Sequence, residues 1–133
     1  MMSVEHIAKI CHETNRAYRE VIGETTSPRW EDAPDWMRQA TIEGVIFLLE
    51  NPGVSLAERA HENWLHRKEK DGWKYGIVSN AAKKEHPSIL PYSMLTENDR
   101  RKDALFIAVV HACVPQSFRI PSSIEIPVVQ QEM

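Results

Sequence analysis

Two clusters hold the side chains with the most chemistry to offer. The stretch DGWKYGIVSNAAKKEHP, from Asp71 to Pro87, sets Trp73 and Tyr75 two residues apart and follows them with Lys83, Lys84 and His86. Aromatic rings can hold a planar group, and stacking on a base is worth about 1–3 kcal/mol. Lysines are compact point charges suited to phosphate. The second cluster is a repeated pair. His12-Glu13 is followed by Arg19 and Gly23, and His61-Glu62 by Lys68 and Gly72, all four at an offset of 49 residues. With Arg16, these basic residues flank two helical stripes. They can face one cleft and receive an anion, or the His and Glu side chains can tie helices to loop backbone. Both hold together if the glutamates are structural and the cations face outward.

Catalysis finds less support in the sequence. Neither pair completes HExxH, so zincin geometry is absent, and no Gly-rich phosphate loop occurs. Cys11 with His12, or Cys113 with His111, could be drawn as a nucleophile and base, but adjacent helix positions diverge by about 100°. No metal or cofactor is expected. The expectation is a noncatalytic module that binds a nucleotide or other phosphorylated small molecule in a cleft between two halves. The alternative is an interaction or assembly module with no small ligand.

The tryptophans divide by position. Trp36 and Trp64 lie on apolar helical faces and are expected in the core. Trp30 precedes Pro34 in a loop and is expected as a lid. Trp73 follows Gly72 at a helix end, where it either closes the core or aims its ring at the cleft. The ligand reading takes the second option, with Trp73 partly exposed beside Lys68, Lys83, Lys84 or His86. The expected ligand set is Trp73, Tyr75, Lys68, Lys83, Lys84, His86, Arg16, Arg19 and Trp30.

Periodicity supplies the elements that carry these residues. Val4, Ile7, Cys11, Tyr18 and Ile22 mark one face of a helix over 3–22, stopped by Gly23. Pro34 suits the first turn of a helix over 34–50. Ser55 and Glu58 form a capping box for a third over 55–70. Thr96 caps a fourth over 97–113, whose run from Ala104 to Val110 predicts the deepest burial of the four. Between Trp73 and Tyr92 two or three short strands are expected, with WKYGIV pairing with SILPY. The fold class is mainly α: two helix pairs related by a pseudo-twofold, with a β element between the third and fourth helices. The second connection is about 14 residues longer than the first.

The chain has 133 residues, 42% hydrophobic and 26% charged, with net charge −3. That suits one domain over 1–114, followed by a Pro-containing tail over 115–133 that is an extended arm or flexible. The net charge weighs against nonspecific nucleic-acid binding, and no apolar run is long enough to span a bilayer. Cys11 and Cys113 form no CxxC and read as buried thiols of a cytoplasmic protein. A homo-oligomer through the tail is a further expectation.

The motifs resemble the ryanodine-receptor repeat, the RyR domain. They are His12-Glu13-x-Asn15-Arg16-Ala17-Tyr18, Trp30, Ala33-Pro34-x-Trp36, His61-Glu62-x-Trp64, Lys68 and Asp71-Gly72-Trp73-x-Tyr75-Gly76. Lys84-x-His86-Pro87, Pro91-Tyr92, Leu95 and Lys102-Asp103-x-x-Phe106 continue the series to about Val114. The family takes its name from very large calcium-release channels, and small free-standing versions occur in bacteria and phages, which this chain resembles. The resemblance implies a compact, mainly helical fold with short strands. It implies no channel, since no pore segment is present. Adenine-nucleotide binding is associated with the tandem repeats in the channels and gives a lead for this chain.

Overall fold

The computed structural model describes residues 2–114. The expected tail over 115–133 lies outside them. Four helices account for most of the described chain: α1 (Val4–Val21), α2 (Asp35–Glu50), α3 (Ala57–Lys70) and α4 (Glu97–Cys113). Two strands, β1 (Lys74–Tyr75) and β2 (Glu85–His86), lie between α3 and α4 and pair in parallel. Among the described residues no helix is long and apolar enough to cross a membrane.

Local chemistry sets the helix ends. Ser3 accepts a hydrogen bond from the His6 amide, and Thr96 accepts one from Asp99, so α1 and α4 begin at side-chain caps. Pro34 is the residue before α2 rather than part of its first turn. The expected capping box does not form: α3 starts at Ala57, after Leu56, which offers no side-chain bond. α1 and α3 close alike. Gly23 and Gly72 adopt φ of +81° and +90°, and the next amides, Glu24 and Trp73, donate to Arg19 and Lys68 carbonyls at 2.9 Å. Only glycine takes this left-handed turn without strain.

The repeat seen in the sequence extends through the packing. His12 Nε2 donates to the Pro28 carbonyl and His61 Nε2 to the Leu90 carbonyl, each at 2.7 Å. A carbonyl can only accept, which fixes the proton on Nε2 in both rings. A 3-10 turn then follows in each half, Trp30–Asp32 and Tyr92–Met94. Beyond it the offset is 62 residues: Val45 and Leu48 of α2 are buried as Ile107 and Val110 of α4 are. The step from 49 to 62 is an insertion of 13 residues, one fewer than the sequence suggests. It contains both strands. Glu13 breaks the repeat, since it accepts from the Trp30 amide at 2.9 Å while Glu62 is exposed.

The core gathers Ile7, Ala8 and Cys11 of α1, Val45 and Leu48 of α2, Ile107 and Val110 of α4, with Trp30 and Val54. Two expectations change here. α1, with Ile7, Ala8, Cys11 and His12 buried, is more deeply embedded than α4, where only Ile107 and Val110 are. α4 is apolar for a longer run and packs against α1, α2 and α3, yet part of its apolar run stays half-buried where it lines the cleft through Leu105, Phe106 and Val109. The partner of WKYGIV is Glu85–His86, not SILPY. α2 and α3 meet only sparsely, and this leaves a cleft open between the halves.

Candidate functional site

The cleft encloses about 530 Å³. One wall carries His12, Asn15 and Arg19 from α1 with Thr41 and Gly44 from α2. The other carries His61, Trp64 and Arg67 from α3 with Asp99, Lys102 and Asp103 from α4. His86, Pro87 and Ser88 of the insert reach its edge. At its floor α2 and α4 cross in near contact: a Cβ on Gly44 would stand 3.0 Å from the Phe106 ring. The absence of a side chain at residue 44 therefore sets how closely these helices approach.

The two walls differ in chemistry. Where α2 has Thr41, α4 has Asp103 at the equivalent position. The Asp103 carboxylate lies 3.6 Å from His61 Nδ1, and its Oδ2 is buried without a hydrogen-bond partner among the described residues. Burial, assisted by the Asp99 charge, pushes its pKa up to about 7. Lys102 is held by Glu24 at 2.7 Å and Asp99 at 3.0 Å. Arg67 meets Glu43 at 2.9 Å through one terminal nitrogen, while its buried Nε has no partner among the described residues. Arg19 Nε is likewise unbonded: Glu24 is 3.3 Å away but out of hydrogen-bonding alignment, so that contact is one of charge only.

Trp64 stands between two imidazoles. Its ring centroid lies 5.5 Å from both His61 and His86. His86 Nδ1 accepts a hydrogen bond from the Ser88 amide at 2.9 Å, and burial lowers the ring's pKa to about 4. His86 is thus a neutral, N–H-bearing ring at pH 7, and the expected cation at this position is corrected.

Of the expected ligand residues, the structure brings only Arg19 and His86 to the cleft. Trp73 is 8% exposed and packs against Trp36, with ring centroids 5.6 Å apart, so it closes a hydrophobic contact rather than offering a free face. Lys68 Nζ sits 4.8 Å from the Trp73 ring and 5.4 Å from that of Trp36, and burial lowers its pKa. Arg16 serves the Ser27 carbonyl and Glu13. Trp30 is buried against His12 as part of the core. Tyr75, Lys83 and Lys84 are exposed on the insert, where Lys84 reaches the Asp71 carbonyl at 2.7 Å.

Neither Trp36 nor Trp64 lies in the core as expected. Trp36 is 45% exposed, with Trp73 and Lys68 packed against its ring. Trp64 is a cleft residue. Sequence reasoning also missed Arg67, Lys102 and Asp103. The Lys102-Asp103-x-x-Phe106 motif was one available signal, since all three side chains turn toward the cleft.

These features define a mainly helical domain of two similar halves around a cleft lined by both polar and apolar side chains. The family model of the RyR domain matches residues 49–110, from the end of α2 through most of α4. The match takes in the second half, while the first half repeats its helix ends and its histidine-to-carbonyl bonds.

Proposed function

We propose that this protein is a noncatalytic binding module for a phosphorylated small molecule, a nucleotide being the best fit, held in the cleft between the halves. The observation that carries the reading is one wall of that cleft: the Trp64 ring, flanked by His61 and His86, stands with Arg67 and Lys102, and Arg19 lines the opposite wall. A planar group gains by stacking on the indole, and phosphate gains from the cations. Lys102 is shared by two carboxylates, so a phosphate competes with Glu24 and Asp99 there. Arg67, with a single carboxylate partner, is the stronger candidate for the anion. The volume suits a drug-sized or mononucleotide-sized ligand. The buried Cys11 thiol, its pKa raised to about 12 by burial, is a poor nucleophile, which supports binding over catalysis. A bacterial or phage origin and a cytoplasmic setting belong to the same proposal and rest on the family resemblance.

The test is a thermal-shift titration of the protein with AMP, ADP, ATP and their deoxy and cyclic forms, since a ligand selective for the native state raises Tm by mass action. Saturable stabilisation by at least one nucleotide, lost in Trp64→Ala and weakened in Arg67→Ala, is the expected result. No Tm response to any of them, or an unchanged response in Trp64→Ala, would overturn it.

A further inference from the structure

The charges of the cleft cancel. Among the described residues, Arg19, Arg67 and Lys102 are the arginine and lysine side chains that line it. Each already has a carboxylate. Arg67 meets Glu43 at 2.9 Å, Lys102 meets Glu24 at 2.7 Å and Asp99 at 3.0 Å, and Glu24 also stands 3.3 Å from Arg19. Asp103 adds a further carboxyl, which has His61 beside it at 3.6 Å and turns negative above a pH of about 7. Such a cleft holds no surplus of positive charge. An anion enters it by taking a cation from its carboxylate.

The three cations are not equally open to that exchange. The Glu43 side chain is 46% exposed, so on leaving Arg67 it is resolvated. Asp99 is 23% exposed, and Glu24 serves two cations at once. Taking Lys102 would strand both of these half-buried carboxylates. The pairs also hold different parts together. Arg67 and Glu43 tie α3 to α2, while Lys102 and Glu24 tie α4 to the residues just after α1. Both ties cross between the halves. A ligand that takes Arg67 alone leaves the second tie intact.

We propose that the cleft selects a ligand with one phosphate group, a nucleoside monophosphate over its di- and triphosphate, and that Arg67 receives that phosphate as Glu43 turns to water. This rests on the nucleotide reading above and narrows it. A phosphate monoester carries about two negative charges at neutral pH. One guanidinium can hold it through two parallel N–H bonds. Each further phosphate adds charge that must either break the Lys102 tie or stand unpaired beside Asp99 and Asp103. Selectivity then comes from repulsion of the longer phosphate chain rather than from an added contact.

The test is a thermal-shift titration at about pH 8, above the Asp103 transition, in EDTA so that magnesium does not mask phosphate charge. The probes are the mono-, di- and triphosphates of adenosine, guanosine, cytidine and uridine, on the wild type and Glu43→Gln. For the base that responds, the monophosphate should half-saturate the shift at a concentration at least about tenfold below that of the triphosphate. Glu43→Gln frees Arg67 and removes one negative charge. It should lower the monophosphate midpoint at least about threefold and narrow the lead over the triphosphate. A di- or triphosphate midpoint at or below that of the monophosphate would overturn the inference and leave nucleotide binding standing. An unchanged monophosphate midpoint in Glu43→Gln would overturn the part given to Arg67. No shift with any nucleotide would overturn the binding reading itself, and this inference with it.

Discussion

Burial moves two titratable groups at the cleft in opposite directions. Asp103 is raised to about 7 from 3.8, so the folded state binds its proton more tightly and the linked stability is lost as pH rises from about 4 through 7. His86 is lowered to about 4 from 6.5, so its contribution is present above 6.5 and lost as pH falls toward 4. Each shift corresponds to roughly 3–4 kcal/mol, and between pH 4 and 6.5 the two oppose. Asp103→Asn removes the falling contribution and leaves the rising one. Urea melts across pH 4–7 should show stability climbing more steeply with pH in the variant than in the wild type, and identical slopes would refute the assignment. Trp73 gives the companion prediction. Packed on Trp36 and 8% exposed, its replacement by Ala should cost about 3–5 kcal/mol. A Trp73→Ala protein within 1 kcal/mol (roughly) of the wild type in the same melts would show that the ring carries little packing. The sequence left Trp73 between core and cleft because a residue after a helix-ending glycine can turn either way. Only the position of Trp36 settles the choice.

At the scale of elements, much of the fold was legible. Apolar spacing placed four helices within two residues of their observed bounds, and Gly23 and Gly72 marked two ends because the left-handed turn selects glycine. The strand partner was not legible. SILPY has stronger β character than Glu85–His86, but the turn at Ala81–Lys84 and the Lys84 contact with Asp71 carry Glu85 alongside Lys74. Tertiary geometry overrode propensity. Gly76 tests how tightly that arrangement is built. A methyl group at residue 76 collides with the Glu85 Cβ, so Gly76→Ala should force β1 and β2 apart and accelerate exchange of the Lys74 and Gly76-position amides. The helical amides of α1 and α4 should be unaffected. Unchanged exchange in the insert would mean that the two segments separate without cost.

At the scale of the whole molecule, the cleft is a product of two imperfectly repeated halves. Repetition supplies a histidine from each side, and divergence supplies Trp64, Lys102 and Asp103 on one side only. The sequence revealed the repetition through a shared offset, but not which face of each helix meets the cleft. That depends on α1 packing along α4 while α2 and α3 stay apart, a relation between helices far apart in sequence. Among the described residues, the core cluster with the side chains packed on it and the cleft lining draw on all four helices, the last of which ends at Cys113. The chain truncated after Val114 should therefore melt cooperatively and keep whatever nucleotide response the full chain has. Deletion of a packed core element would remove apolar area worth about 25 cal/mol per Å² and abolish the transition. Calorimetry of the truncated chain checks this, since loss of its cooperative transition would place residues 115–133 among the elements that hold the halves together.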